Sequence, residues 1–82
     1  MSYFVYIVEC CDGTYYVGLS NNVERRVKEH NGSAKGARYT KTRRPVTLKY
    51  TETYETFAQA IKREIEIKKW PRKRKARLWE EK

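Results

Sequence analysis

The sequence predicts an α+β domain: a three-stranded antiparallel sheet flanked by about three helices. Three observations carry that expectation. Two β-branched and aromatic runs, Tyr3-Phe4-Val5-Tyr6-Ile7-Val8 and Thr14-Tyr15-Tyr16-Val17-Gly18-Leu19, stand on either side of Asp12-Gly13, a hairpin turn signal. A shorter alternating run follows Pro45. Two longer stretches, roughly Asn22 to His30 and Phe57 to Lys69, repeat apolar residues at helical spacing. The order is ββ-α-β-α-α, read as an antiparallel sheet packed with helices.

The first run is apolar on both parities, so it reads as a central strand covered on both faces. Its pairing with the second run depends on the turn. A two-residue loop at Asp12-Gly13 would pair Tyr6 with Leu19 and send Tyr6 and Tyr16 to opposite faces. A three-residue loop, Cys11-Asp12-Gly13 with Gly13 left-handed, would pair Tyr6 with Gly18. Tyr6, Val8, Tyr16 and Gly18 would then share one face. The second register is favoured because it sets a bulky ring opposite a residue with no side chain.

Asn21 followed by Glu24 resembles a capping box opening the first helix, and Asn31-Gly32 is a stop signal. Residues 31–44 then read as a long basic loop. Pro45 opens a third strand in which Val46, Leu48 and Tyr50 alternate with Thr47, Lys49 and Thr51, one face buried and one wet. Phe57 to Lys69 forms the second long helix. Pro71 suits the first turn of a short final helix carrying Leu78 and Trp79.

The 82 residues fit one domain spanning 1–82. Hydrophobic residues make up 39% and aromatics 13%, enough for one core and too much for a disordered chain. The adjacent Cys10 and Cys11 and the sole histidine, His30, offer neither a disulfide framework nor a Cys/His zinc site. The apolar run Tyr3 to Val8 is too short for a signal-peptide core, and no stretch approaches the ~20 residues of a membrane span. A soluble cytoplasmic protein is expected, with no membrane partner.

Charge points to the partner. Nineteen Lys and Arg against ten Asp and Glu give a net charge of +9. Such a surface attracts polyanions, because binding phosphates releases condensed counterions. Candidate nucleic-acid contacts are Lys35, Arg38, Lys41, Arg43 and Arg44 in the loop. Lys68, Lys69, Arg72, Lys73, Arg74 and Lys75 add a second group near the C-terminus. A solvated basic helix is the alternative for the latter.

Both long helices put charges on their apolar stripes. In the later helix, Phe57, Ala58, Ala60, Ile61, Ile65 and Ile67 form one face with Glu64 and Lys68 in its middle. Gln59, Lys62, Arg63 and Glu66 fall on the wet side. In the earlier one, Arg26 and His30 share the face of Val23 and Val27. A buried charge is costly unless paired or metal-bound. An ion pair between Glu64 and Lys68, a snorkelling Arg26 and a satisfied core His30 would each explain one charge. Beside a sheet face bearing Tyr6 and Tyr16, they also make a set able to cut a phosphodiester. Arg26 is a permanent planar cation suited to phosphate, and Glu64 can hold one hard divalent ion such as Mg²⁺. A tyrosine base needs a neighbouring cation or metal to lower its pKa.

Tyr6, Tyr16, Gly18, Arg26, His30 and Glu64, in this order, resemble the defining residues of the GIY-YIG nucleases. Val5-Tyr6-Ile7 and Tyr16-Val17-Gly18 stand where the paired motifs that name the family would be. The pattern covers nearly the whole chain. It is most similar to the short single-domain bacterial branch, related to the nuclease module of Slx-type structure-specific endonucleases. The resemblance implies hydrolysis of DNA phosphodiester bonds with one divalent metal ion, Mg or Mn. It assigns Tyr6 and Tyr16 to the base and its partner, Arg26 to the phosphate, Glu64 to the metal, and His30 to the same catalytic group. Gly18 would allow close approach beneath Tyr6. Two features depart from the pattern: Phe4-Val5-Tyr6 replaces the glycine of the first motif, and no Asn follows Asn31. Lys68 stands where it can take a polar role beside Glu64. Nothing resembling a second DNA-targeting domain is visible, so specificity would come from a protein partner, from substrate shape, or not at all. The competing expectation is a non-catalytic DNA- or RNA-binding module on the same fold.

Overall fold

A computed structural model describes residues 2–32 and 38–80. Strands β1 (Tyr3–Glu9), β2 (Tyr15–Ser20) and β3 (Thr47–Tyr54) form one antiparallel sheet in the order β2-β1-β3. Four helices accompany it: α1 (Val23–Gly32), the short α2 (Arg38–Lys41), α3 (Phe57–Lys68) and α4 (Arg72–Glu80). The sheet is the expected one, and α2 is added within the segment expected to be loop. None of the helices among the described residues is long and apolar enough to cross a membrane.

β1 is the central strand, and Val5, Tyr6, Ile7 and Val8 are all buried. The hairpin takes the three-residue loop. Cys10 N–H donates to Thr14 O at 2.8 Å, and Gly13 adopts a φ of 84°, open to glycine at no steric cost. The Asp12 carboxylate accepts from the backbone and hydroxyl of Thr14 and closes the turn. Tyr6 therefore pairs with Gly18, and Val8 with Tyr16.

The other parity of β1 builds the main core. Val5, Ile7 and Val17 pack against Ala60 and Ile67 of α3, with Tyr50, Tyr54, Trp70, Leu78 and Trp79 around them. Trp79 meets Tyr15 edge-on at 5.1 Å, which docks α4 on the hairpin. The opposite face carries a smaller cluster of Val8, Cys10 and Val46 with Tyr16 and Val27.

Five local expectations change. β3 does not alternate throughout: the register slips between Ile7 and Val8, so Tyr50 pairs with Ile7 but Leu48 with Val8. This bulge at Lys49 sends Leu48 and Tyr50 to opposite faces. The cap of α1 is Asn22 rather than Asn21, because the Asn22 side chain accepts from Arg25 N–H at 3.0 Å. The helix expected to close near His30 runs two residues further, through Gly32. On α3 the buried residues are Ala60 and Ile67, whereas Phe57 and Ile65 are each 49% exposed. Arg63, expected on the wet side, is half-buried because it reaches Glu52 of β3 at 2.9 and 3.0 Å.

Candidate active site

The Tyr6–Gly18 pairing leaves a hole in β2 that the Tyr6 ring fills. A Cβ on Gly18 would overlap Cζ and Oη of Tyr6. The ring thereby aims its hydroxyl toward α1, where Oη lies 2.7 Å from Nε2 of His30. Tyr16, one ladder step away on the same face, meets the His30 ring edge-on at 5.1 Å. Tyr39, which follows Arg38 in α2, stacks on Tyr16 at 5.9 Å.

α1 brings in Arg26 one turn before His30. Its positive charge acts on the Tyr6 oxygen and on Tyr16. Glu29 accepts from Arg26 at 3.0 Å and orients it. Glu64 lies close enough for its charge to oppose ionisation of Tyr6. The residues singled out from the sequence thus gather around the Tyr6 hydroxyl.

The charge state of this group follows from burial. Tyr6 is 1% exposed, and its pKa rises well above that of a free phenol. Burial is the main cause, with Tyr16 adding to it and Arg26 opposing. His30 is completely buried, and its pKa falls to about 4, first through burial and then through the Arg26 charge. A neutral phenol therefore faces a neutral imidazole. The second ring nitrogen, Nδ1, lies 2.9 Å from Oγ1 of Thr40, which is also completely buried.

Among the described residues no cluster of three His, Cys, Asp or Glu side chains surrounds a metal position. Glu64 is the acidic side chain of the gathered set, 15% exposed, with Lys68 Nζ at 3.6 Å. One carboxylate suits Mg²⁺, which keeps most of its water and takes further ligands from a substrate phosphate. A groove of about 500 Å³ between α1 and β3, lined by Phe4, Val23, Val27, Leu48 and Thr51, holds none of the five candidates. Its walls are mostly apolar, and the lysine that also lines it, Lys28, is paired with Glu24 at 3.8 Å.

The sequence reading missed Thr40, Tyr39 and Glu29. All three lie within or beside segments already marked, but no periodic signal separates them from neighbouring polar residues. Several expected phosphate contacts also have internal partners. Arg44 donates to the carbonyls of His30 and Glu29 and closes the end of α1. Arg43 bonds Asp12 at 3.1 Å and lies over the Tyr39 ring. Arg72 donates to Gly13 O and lies over Tyr15, and Arg74 lies over Trp70. Lys75 is half-buried, and burial lowers its pKa. Lys41, Lys68, Lys69 and Lys73 are exposed. Lys35 and the side chain of Arg38 lie outside the described residues.

Comparison with known proteins decides the family, since the GIY-YIG catalytic domain matches residues 2–77. The chain belongs to the GIY-YIG family. Its relatives place it in the short UPF0213 branch. A UPF0213 protein of Staphylococcus aureus is 54% identical over 80 residues, covering 98% of this chain and 96% of its own. One from Desulfotalea psychrophila is 54% identical over 77 residues, covering 94% and 70%. Solution structures show the same GIY-YIG fold. The UPF0213 protein BH0048 of Bacillus halodurans has a TM-score of 0.60 at 41% identity, covering 95% of this chain and 82% of that one. The E. faecalis protein EF2693 has a TM-score of 0.64 at 38% identity, covering 95% and 83%.

Proposed function

We propose that this GIY-YIG protein is a metal-dependent endonuclease that hydrolyses nucleic-acid phosphodiester bonds, with DNA as the substrate. The 2.7 Å contact between Tyr6 and His30 carries the reading. It joins a phenol to a nitrogen able to take its proton, beside an arginine suited to phosphate. Arg26 binds the scissile phosphate and brings it to the tip of Tyr6. The attacking water gives a proton to the Tyr6 oxygen as the phenol passes its own to Nε2 of His30. His30 becomes an imidazolium, and the water becomes a hydroxide that attacks phosphorus as the bond to the sugar oxygen breaks; that oxygen leaves and takes its proton from solvent. Arg26 and Arg44 oppose that imidazolium in the free protein. A phosphate anion on Arg26 offsets this repulsion, so the base acts only with substrate in place. Tyr16, beside His30 on the same sheet face, hydrogen-bonds the phosphate or the water.

Glu64 would hold Mg²⁺ or Mn²⁺, and the ion would supply charge neutralisation at the leaving oxygen. The exposed lysines Lys41, Lys69 and Lys73 would follow the nucleic-acid backbone, and a protein partner or branched substrate shape would supply specificity. A cytoplasmic setting belongs to the same reading, since the exposed thiol of Cys11 suits a reducing compartment.

The test is cleavage of linear, single-stranded and branched DNA and RNA with Mg²⁺ or Mn²⁺, using Tyr6→Phe as the control. Metal-dependent cleavage that the variant loses supports the enzyme. A second reading, a binding module without chemistry, draws on the Lys68 ammonium that sits on Glu64. Tight binding with no cleavage of any substrate under either metal would establish that reading instead.

A further inference from the structure

Thr40 is a buried polar residue that the proposed reaction leaves unused. α2 delivers its side chain beneath the His30 ring, with Oγ1 2.9 Å from Nδ1 and no exposure to solvent. A neutral imidazole carries one proton, so the ring has two ways to satisfy its neighbours. With the proton on Nε2, His30 donates to Tyr6, and Thr40 must donate to Nδ1. With the proton on Nδ1, His30 donates to Thr40, and Nε2 accepts from Tyr6.

Tyr6 decides between them. Among the described residues, Nε2 of His30 is the acceptor within hydrogen-bond distance of the phenol, at 2.7 Å. A buried hydroxyl proton needs an acceptor, so it points at Nε2. The groups facing the ring agree with a neutral histidine: Tyr6 from β1, Tyr16 from β2, Arg26 and Glu29 from α1, and Arg44 beyond α2. We propose that Thr40 is a positioning residue that holds His30 in the Nδ1–H tautomer and so keeps Nε2 open as the proton acceptor for Tyr6. The proposal rests on the assignment of Tyr6 and His30 as a proton-transfer pair. In free histidine the proton prefers Nε2, so an acceptor at Nδ1 is what sustains the opposite form. The arrangement follows the logic of a base oriented by a third group, with a neutral hydroxyl in the third place.

Because His30 is the only histidine, its ring nitrogens can be read without ambiguity by ¹⁵N NMR. The expected wild-type spectrum at neutral pH has a protonated Nδ1 and an unprotonated Nε2. A wild-type ring protonated at Nε2 overturns the proposal without any variant. Thr40→Val keeps the shape and removes the hydroxyl. It should move the ring toward the Nε2–H form and slow cleavage by about 10- to 100-fold, part of what a general base contributes. Thr40→Ser should restore both. A folded Thr40→Val protein with unchanged ring shifts, or with wild-type cleavage, refutes the role. If the tautomer moves as expected but the wild type cleaves nothing, Thr40 keeps its role in the ring and the nuclease reading falls.

Discussion

The Tyr6 ring occupies the space that a side chain at Gly18 would need, and the atom it would displace is the hydroxyl held by His30. Gly18→Ala is therefore expected to push Tyr6 off His30. Overpacking of this kind costs about 1–3 kcal/mol. The protein should remain folded with a lower denaturation midpoint, and cleavage should vanish. Measuring urea unfolding beside cleavage separates the two effects. Wild-type cleavage by the alanine variant would show that the reaction does not depend on this close approach.

Glu64→Gln tests the metal ligand. Lys68 is 50% exposed and 3.6 Å from Glu64, and pairs this open to solvent contribute about 0–1 kcal/mol. The variant should melt close to wild type and bind nucleic acid at least as tightly. It should lose cleavage with both Mg²⁺ and Mn²⁺. A lower melting temperature with intact cleavage would instead make Glu64 a partner of Lys68 and nothing more.

His30 should make the fold sensitive to mild acid. Its pKa is about 6.5 when unfolded and about 4 when folded, so the unfolded chain binds more protons between these values. Its contribution to stability is complete above about pH 6.5 and declines as pH falls toward 4, by up to about 1.4 kcal/mol per unit. Glu52 and Asp12 start from 4.5 and 3.8 and shift downward, so their stabilisation is lost only at lower pH. Urea midpoints measured from pH 7 to 4.5 should fall steadily. A flat profile over that range contradicts a buried neutral histidine.

Glu52 and Arg63 join β3 to α3 on the sheet face opposite Tyr6. The carboxylate accepts from Tyr50 at 2.7 Å, from Tyr54 at 2.6 Å and from Arg63 twice. Burial raises its pKa, but these donors outweigh it and hold it below the usual range. Arg63→Met should strand that carboxylate and cost about 2–4 kcal/mol. Calorimetry should show the loss, while cleavage at low temperature persists because no atom of the pair touches the proposed site. A variant as stable as wild type would mean that the tyrosines alone satisfy Glu52.

Salt dependence distinguishes binding cations from structural ones. Lys41→Ala, Lys69→Ala and Lys73→Ala should each flatten the log–log salt slope by about 0.9 on duplex DNA. Each should also leave stability within about 0.5 kcal/mol. Arg44→Ala should lower stability, because it removes donors from the end of α1. Lysine variants with an unchanged slope would locate the footprint elsewhere.

The sequence alone determined the sheet, favoured the hairpin register that pairs Tyr6 with Gly18, and put Tyr6, Tyr16, Arg26, His30 and Glu64 in one pattern. Those features are local or periodic. A left-handed Gly13 sets the loop, strand parity sets which tyrosines share a face, and helical spacing sets which charges lie on an apolar stripe. Tertiary structure decided what no period records. The Lys49 bulge appears only when β3 pairs with β1, and it overturned the expected alternation of Leu48 and Tyr50. Arg63 looked wet until Glu52 stood opposite it, and Arg43, Arg44 and Arg72 looked free until carbonyls and carboxylates met them. Thr40 had no sequence signal at all, because its contact with the His30 ring is made across ten residues. Periodicity tells which way a side chain points; its partner is chosen when separate elements pack and every buried donor has to find an acceptor.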